Sequence, residues 1–177
     1  GNASANYFVT PTSRDAAGIS AAIVKASLSG GTVLLPTGTI TLTSPILFLA
    51  ASDNVRMIGS GVLQTILQVG STLTNDAIDI EAGCRNIHIE NVVNDGNYAT
   101  EDDTQPEAQN GITLGSDVIG FRLKNMEVNN FRFNAINFGG IATGGGEKYE
   151  DIFIEGVKIN RCGNTGIFMN DANSLNR

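Results

Sequence analysis

The sequence predicts an all-β fold, a right-handed single-stranded parallel β-helix preceded by a short N-terminal capping α-helix. The first observation is a repeat in which apolar residues alternate with others and are followed by Asn or Gly. It begins at Val55, Ile87, Phe121 and Ile152, which gives steps of 32, 34 and 31 residues. A period of this length indicates stacked units. Alternation with a period of two indicates that the units are strands with one buried face.

The second observation is another group of strands that returns once in each repeat. It begins at Ile78, Ile112, Ile136 and Ile167, with steps of 34, 24 and 31 residues. We expect the insertions that make these steps unequal to lie in loops. A short third strand follows three of the Asn or Gly positions, over residues 92–93, 126–128 and 157–159. Three short strands per repeat predict a coil that pairs only with its neighbours around a continuous apolar interior.

The third observation is the column formed by Gly59, Asn91, Asn125 and Gly156, which share one position in the repeat. A tight turn with a positive φ is easiest for Gly and tolerable for Asn. We therefore expect a positive φ at this corner of every coil. Stacked Asn side chains could also form hydrogen bonds along the coil axis.

The N-terminal part is predicted to differ from the repeats. We expect an irregular lead-in over residues 2–12 and an amphipathic helix over residues 13–28. Ser13 is the predicted N-cap, with Asp15 in the first turn, where the helix dipole favours a carboxylate. Ile19 and Ile23 belong to its buried stripe.

The remaining elements follow from turn residues and from the repeats. The Gly-Gly pair at 30–31 ends the helix. Strands are predicted over residues 32–35 and 39–42. We divide the chain into a lead-in with its helix, residues 1–30, and a β-helix, residues 31–177. No capping element is recognisable at the end of the sequence, so we expect a β-helix truncated at its C-terminal end.

Composition and charge limit the classes of partner. The formal net charge of −7 argues against nucleic acid, whose binding proteins are usually basic. It argues mildly against an anionic polymer as well. No apolar run has the length needed to cross a bilayer, so no membrane insertion is expected. Cys84 and Cys162 fall at different corners of the repeat, and we expect free thiols, because a disulfide needs Cα atoms within about 7 Å.

Three segments resemble the opening of the pectate-lyase-like superfamily. Residues 15–42 read DAAGISAAIVKASLSGGTVLLPTGTITL, residues 54–61 read NVRMIGSG, and residues 93–97 read VNDGN. In that superfamily a helix caps the open end of the β-helix, and a strand of the type GGTVxLPxGTY follows. Its members include pectin-degrading enzymes, mannuronan epimerases and phage tailspike depolymerases.

The resemblance implies a protein that acts on an extracellular polysaccharide as a lyase, a glycoside hydrolase or an epimerase. Such a protein is either a secreted enzyme or a tailspike at the virion surface, where a homotrimer is expected if it is a phage fibre. The alternative is a non-catalytic β-helix, a glycan-binding or structural fibre segment. Membership of a fold class does not itself give the reaction.

The resemblance also marks the strands at Ile112, Ile136 and Ile167 as the sheet that lines the sugar groove. The outward residues of these strands and of their neighbour form two columns: Asp79, Thr113, Asn137 and Phe168, then Glu81, Gly115, Gly139 and Asn170. The epimerases carry a Tyr-Gly-Phe-Asp-Pro-His run in this region. Here Asn137 stands at the place of the acid and Gly139 near that of the histidine. Because an amide cannot act as an acid or base near neutral pH, the epimerase mechanism does not carry over to this segment.

Carboxylates supply the candidate catalytic residues, because hydrolases of this fold need a general acid and a base or nucleophile. Asp79 and Glu81 form an outward pair on one strand, and Asp95, at a strand end, is the best single candidate. In the acidic loop 94–109, Asp102 and Asp103 could bind Ca²⁺. A solvated acidic loop is the simpler interpretation, and no cofactor is required.

The remaining candidates would bind the sugar. Arg132 could pair with a sugar carboxylate or with the enolate formed in a lyase reaction, although a surface role is commoner. Phe168 and Tyr98 could stack on sugar rings, and Asn137 and Asn170 could form hydrogen bonds to them. The only histidine, His88, is predicted to lie on a different sheet as an exposed surface residue, beside outward residues of neighbouring coils.

Overall fold

The fold is known from a computed structural model that describes residues 7–50, 52–61, 64–98, 110–139 and 149–169. In chain order its elements are β1 (Phe8–Val9), α1 (Ala16–Ser27), β2 (Thr32–Leu34), β3 (Gly38–Leu42), β4 (Ile46–Phe48), β5 (Arg56–Ile58), β6 (Thr65–Val69), β7 (Ile78–Ile80), β8 (His88–Glu90), β9 (Val93–Asp95), β10 (Ile112–Leu114), β11 (Arg122–Lys124), β12 (Glu127–Asn129), β13 (Ile136–Phe138), β14 (Phe153–Glu155), β15 (Lys158–Asn160) and β16 (Ile167–Met169).

The strands form three parallel sheets, each of which receives one strand per coil. Sheet A has the order β1-β2-β5-β8-β11-β14, sheet B has β3-β6-β9-β12-β15, and sheet C has β4-β7-β10-β13-β16. The chain makes about four turns between β2 and β14. The predicted all-β parallel β-helix with one short N-terminal helix is therefore confirmed.

The predicted repeats are aligned in space. In sheet C, Ile112 lies opposite Ile78 on one side and Ile136 on the other, and Ile136 lies opposite Ile167. The unequal steps arise in corners, as expected. Residues 96–111 separate β9 from β10, whereas only residues 130–135 separate β12 from β13.

A continuous apolar interior runs through the coils. Its largest fully buried side chains include Phe48, Phe121, Phe131 and Phe138. Asn94 interrupts this interior on β9. It aligns with the inward residues of the adjacent strands and is fully buried; its Nδ2 donates to the Gly111 carbonyl over 2.9 Å. Among the described residues its Oδ1 has no hydrogen-bond partner.

Helix α1 begins later than the sequence predicted, because Asp15 and not Ser13 is its N-cap. Asp15 has an extended backbone, with φ −149° and ψ 173°, and its side chain accepts a hydrogen bond from the Gly18 N–H over 2.7 Å. The Ser13 hydroxyl donates to the Asp15 carboxylate over 2.8 Å. Hydrogen bonds from Gly18 and then Ser13 hold the pKa of Asp15 below its usual value. Both residues suit an N-cap, and the backbone geometry selects Asp15.

The helix closes one end of the coil. Ile19 and Ile23 are fully buried, and the helix packs on β2 and β4. The Ser20 hydroxyl accepts a hydrogen bond from the Leu47 N–H over 2.9 Å. This contact gives a partner to the edge strand of sheet C, which would otherwise present unpaired backbone groups.

The lead-in is less irregular than predicted. Residues 8 and 9 form β1, and Phe8 and Val9 pair in parallel with Thr32 and Val33. A two-residue strand is too short to show alternation, so the sequence carried no signal for it.

The corner between sheets A and B confirms a positive φ at three of the four predicted positions. The φ values are 60° for Asn91, 50° for Asn125 and 61° for Gly156. The prediction is wrong at Gly59, whose φ is not positive. A Cβ at that position would overlap the Asn91 carbonyl oxygen and lie 2.8 Å from a Val92 methyl group. Close approach of the next coil therefore explains this glycine.

Asparagine side chains do form hydrogen bonds between coils, but at other positions of the repeat. The amide of Asn86 donates to Asn54, and that of Asn160 donates to Asn129, both over 2.9 Å. Within the described residues no side-chain hydrogen bond joins Asn91 to Asn125. The cysteines are free thiols at different corners, as predicted, with Cys84 buried and Cys162 half-buried.

Candidate functional site

The outward-facing residues of sheet C, hereafter the sheet C face, lie in the predicted register. Backbone pairing aligns the central residue of each strand, in the order Leu47, Asp79, Thr113, Asn137 and Phe168. The residues on either side of each of these point inward, and they are buried from β4 to β13. The column that projects from the sheet is therefore apolar at Leu47, polar from Asp79 to Asn137 and aromatic at Phe168.

The acidic part of this face is a cleft of about 300 Å³ lined by Pro45, Asn75, Asp76 and Asp79. Asp79 is half-buried on β7, and no described residue forms a hydrogen bond with its carboxyl group. Burial, followed by the charges of Asp76 and Glu81, raises the pKa of Asp79 above its ordinary value. A carboxyl group in this state retains its proton to a higher pH than a solvated one, which is what a general acid requires.

Asp76 supports this cleft and was missed by the sequence predictions. Its Oδ1 accepts hydrogen bonds from the backbone N–H and the Nδ2 of Asn110, both over 2.9 Å. Its Oδ2 accepts one from the Thr113 hydroxyl over 2.6 Å. Three donors hold this carboxylate in place beside Asp79. The repeat contained the signal, because Asp76, Asn110 and Asn134 each precede an aligned isoleucine by two residues.

The ladder of side chains continues from Asp76 along the edge of sheet C. The Asn110 Oδ1 accepts hydrogen bonds from the N–H and the Nδ2 of Asn134, over 3.1 and 2.9 Å. The Asn134 Oδ1 accepts one from Asn164 over 3.2 Å. Asn110 and Asn134 are buried, so this ladder ties consecutive coils together next to the sheet C face.

The predicted pair Asp79 and Glu81 lies on the outward side of β7 and of the residue that follows it. Glu81 follows the last residue of β7, and its Oε2 accepts a hydrogen bond from the Ala50 N–H over 2.9 Å. Two residues of an extended strand span about 6.6 Å. Inverting glycosidases hold their two carboxyl groups roughly 6.5–9.5 Å apart, which leaves room for a water molecule. The backbone spacing of this pair is compatible with that arrangement.

Asp95 lies elsewhere, at the end of β9 in sheet B. Its Oδ1 accepts hydrogen bonds from the Asn97 N–H and the Asn130 Nδ2, both over 2.9 Å, and its Oδ2 accepts one from Gln68 over 3.4 Å. These contacts fix the corner that leaves sheet B. The structure therefore does not bring Asp95 together with Asp79 and Glu81, and its catalytic role stays a prediction.

Arg132 lies in the corner between β12 and β13 and is half-buried. Its guanidinium carbon is 5.9 Å from the centre of the Phe133 ring. The strand that follows it, β13, is two strands away from β7 in sheet C. At about 4.8 Å per strand this places Arg132 roughly 10 Å from Asp79 along the coil axis.

The predicted sugar-binding residues are spread along the face. The Asn137 amide lies against Gly139, where a Cβ would come within 2.6 Å of its Nδ2. Phe168 is exposed on β16. Tyr98 is half-buried beyond β9, and its N–H donates to the Asn130 carbonyl over 3.0 Å. Asn170 lies outside the described residues.

Asp102 and Asp103, the candidate Ca²⁺ ligands, also lie outside the described residues. Within the part of the chain that the structure describes, no group of three or more His, Cys, Asp or Glu side chains is arranged to hold a metal ion. No helix in the described ranges is both long enough and apolar enough to cross a bilayer.

A second cleft, of about 520 Å³, lies on sheet A. Arg56, His88, Arg122 and Phe153 are aligned along it, as the repeat predicted. The sequence predicted that His88 is an exposed surface residue, but in the structure it is half-buried. Burial, followed by the charges of Arg122 and Arg56, lowers the pKa of His88 below its usual value.

No protein-family profile matches the chain, and no curated protein matches it either. Two solved structures are similar to it. One is described as Geobacillus virus E2 ORF18, with a TM-score of 0.55 and 20% identity over 73% of this chain and 27% of the viral one. The other is described as the catalytic domain of Agl-KA, with a TM-score of 0.51 and 16% identity over 89% of this chain and 32% of that domain.

At these identities the likeness establishes a shared fold. The chain spans between about a quarter and a third of the length of the two structures, 27% and 32%.

Proposed function

We propose that the protein is a carbohydrate-active member of the pectate-lyase-like superfamily that hydrolyses an extracellular polysaccharide on the sheet C face. The observation that carries the proposal is Asp79, a half-buried carboxyl group whose pKa is raised by burial and by the charges of Asp76 and Glu81. A carboxyl group in a cleft whose pKa is shifted by burial and by neighbouring charges is a candidate for acid–base catalysis.

In this reaction Asp79 is the general acid. It donates its proton to the glycosidic oxygen as the bond to the anomeric carbon breaks. Glu81 accepts a proton from the water that adds to the anomeric carbon, so that two shorter sugar chains are released. The backbone spacing of Asp79 and Glu81 is compatible with inversion of configuration at that carbon. The negative charge of Asp76, which Asn110 and Thr113 hold in place, disfavours ionisation of Asp79 and so helps it to retain its proton.

The charge of the cleft favours a neutral sugar at the point of cleavage. Asp76, Asp79 and Glu81 would repel a uronate carboxylate. Arg132, the residue predicted to pair with a sugar carboxylate, lies about two strands away from Asp79. A lyase also needs a cation against the enolate. Hydrolysis of a neutral glycosidic bond is therefore better supported than the lyase reaction.

The rest of the face would bind the glycan. Thr113 and Asn137 offer hydrogen-bonding groups, and Phe168 offers an exposed ring at the far end of the column. Asn170 and Tyr98 stay predicted sugar-binding residues. An extracellular or virion-surface location and a homotrimer in a phage fibre are parts of the same proposal. Binding of Ca²⁺ by Asp102 and Asp103 stays a prediction.

The second candidate function is glycan binding without catalysis. It is favoured by the remainder of the column, because beyond Asp79 the central residues Thr113, Asn137 and Phe168 have no group that titrates near neutral pH. In that case the sheet C face would hold a sugar chain that it does not cleave.

A screen for reducing ends with neutral and acidic polysaccharides separates the two candidates. We expect new reducing ends with a neutral glycan, an inverted anomer in the first product by NMR, and loss of both in Glu81→Gln. Asp95→Asn should remain active, whereas its inactivity with an intact fold would move the catalytic role to Asp95. Binding without new reducing ends would support the second candidate. An unsaturated product absorbing in the ultraviolet would refute hydrolysis.

A further inference from the structure

The sheet A cleft differs in charge from the rest of the molecule. Its side chains include the cations Arg56, Arg122 and Lys124 and the acids Glu90 and Glu155, with His88 between two of the cations. The chain as a whole has a formal charge of −7. A local excess of cations on an acidic protein attracts an anionic ligand to this face.

Ion pairs account for two of the three cations. Arg56 is paired with Glu90, and the Lys124 Nζ lies 3.6 Å from the Glu155 carboxylate. Within the described residues no carboxylate lies within ion-pair distance of Arg122. Its guanidinium carbon is instead 4.5 Å from the centre of the Phe153 ring.

This arrangement leaves Arg122 able to bind an oxyanion. The Arg122 guanidinium lies over the Phe153 ring, and a guanidinium stacked on a ring keeps its five in-plane N–H donors available for hydrogen bonds. A carboxylate can therefore accept two parallel hydrogen bonds from its edge. His88 is on the adjacent strand, about 4.8 Å away, so that one bound oxyanion can contact both residues.

The other groups in the cleft indicate what kind of molecule carries that oxyanion. Phe153 is 50% exposed, so it offers an apolar ring surface beside the cation. Glu90 and Glu155 offer acceptors for hydroxyl donors. The volume of about 520 Å³ falls within the ordinary range of small-molecule sites. A ligand with one carboxylate for Arg122, several hydroxyl groups for the two glutamates and an apolar face for Phe153 matches these groups.

We infer that the sheet A cleft is a binding site for a carboxylate-bearing sugar, whose carboxylate pairs with Arg122 and whose ring packs against Phe153. This site is separate from the sheet C face and does not depend on the function proposed for that face. It would recognise a uronic acid unit, either free or at the surface of a polysaccharide.

The single histidine of the chain provides an unambiguous reporter, because His88 lies in the cleft. The ring signals of His88 would be followed by NMR during titration with sodium glucuronate, with sodium acetate and glucose as comparators at constant ionic strength. We expect saturable shifts with glucuronate, weaker binding of acetate, and no shift with glucose. Bound glucuronate should also raise the His88 pKa, since a nearby anion favours the charged imidazole against Arg56 and Arg122, as Glu90 does.

Variants test the named contacts. Arg122→Gln should weaken glucuronate binding roughly 10- to 100-fold, since it removes charge-assisted hydrogen bonds, and Arg122→Lys should restore part of the affinity. Phe153→Ala should reduce glucuronate affinity to that of acetate. Arg85→Gln, at an exposed arginine outside the cleft, is the matched control and should bind normally. Circular dichroism would verify the fold of each variant.

Three results would overturn the inference. Equal affinity for acetate and glucuronate would indicate a nonspecific anion contact. The absence of saturable shifts, or unchanged binding in Arg122→Gln, would remove the site altogether. Histidine signals that depend on protein concentration without ligand would identify the cleft as an interface between copies of the chain.

Discussion

Replacing Asn110 by alanine tests how strongly the side-chain ladder holds the coils together. The substitution removes three hydrogen bonds, one from the Asn110 Nδ2 to Asp76 and two from Asn134 to the Asn110 Oδ1. Asn110 and Asn134 are both buried, with exposed fractions of 8% and 7%. Water therefore has little access to the groups that lose their partners.

The expected cost follows from these contacts. A buried donor left without an acceptor costs about 1–3 kcal/mol, and two donors of Asn134 lose their acceptor. Asp76 also loses one of its three donors. We expect the free energy of unfolding to fall by roughly 3–5 kcal/mol, a large fraction of the 5–15 kcal/mol typical of a folded domain.

Urea unfolding followed by circular dichroism measures this change as a lower midpoint. Asn75→Ala is the matched control, since Asn75 is exposed, and its effect should stay within about 0.5 kcal/mol. A loss of less than 1 kcal/mol in Asn110→Ala would refute the assignment of stability to the ladder.

Asn110→Asp separates the acceptor from the donor function. Its oxygens could still accept from Asn134, but the new carboxyl would face Asp76, which raises its pKa in the folded state. The folded protein would then bind more protons than the unfolded chain, so its stability should rise as the pH falls. A deficit in unfolding free energy that is the same at pH 7 and at pH 4 would contradict this explanation.

The remaining predictions concern single residues. Asp79→Asn should raise the free energy of unfolding at pH 7, because the raised pKa of Asp79 means that its charged form destabilises the fold. The gain should vanish as the pH falls toward about 3.9, the pKa of an Asp side chain in the unfolded chain. A gain that does not depend on pH would contradict this explanation. Cys84, buried with its pKa raised to about 12, should not react with a thiol reagent at pH 8 until urea is added, and rapid labelling of the native thiol would refute its burial. Asn91→Ala should cost about 1–2 kcal/mol in urea unfolding because the φ of Asn91 is 60°, whereas Asn91→Gly should be nearly neutral; equal effects would mean that the backbone does not matter.

Most strands of the fold could be predicted because alternation and spacing act together. The isoleucines at positions 78, 112, 136 and 167 lie opposite one another despite unequal steps. Burial of one face fixes the register of such strands, since a slip by one residue would turn apolar side chains outward. The sequence therefore determined the columns of residues as well as the existence of the strands.

The errors arose where local sequence permits two structures. Ser13 and Asp15 are both good N-cap residues, and only the backbone geometry distinguishes them. Gly59 shares the position of Asn91 but is required by the approach of the next coil, which no single-coil pattern reveals.

The candidate site could be predicted only in part. Asp79 and Glu81 followed from alternation on one strand, but the role of Asp76 depends on contacts with Asn110 and Thr113, which are 34 and 37 residues away in the chain. Asp95 shows the opposite case. Its position at a strand end was correct, yet the three-dimensional structure surrounds it with amide and backbone donors on another sheet.

The most direct test of the central claim compares wild type and Asp79→Asn on a neutral polysaccharide, with hydrolysis and binding measured in parallel. The account predicts that Asp79→Asn lowers the rate of reducing-end release about 10²- to 10⁴-fold while binding is retained, and that wild-type activity is lost as the pH rises through the raised pKa of Asp79. Asp79→Asn cleaving the substrate at the wild-type rate, with the same pH profile, would contradict it.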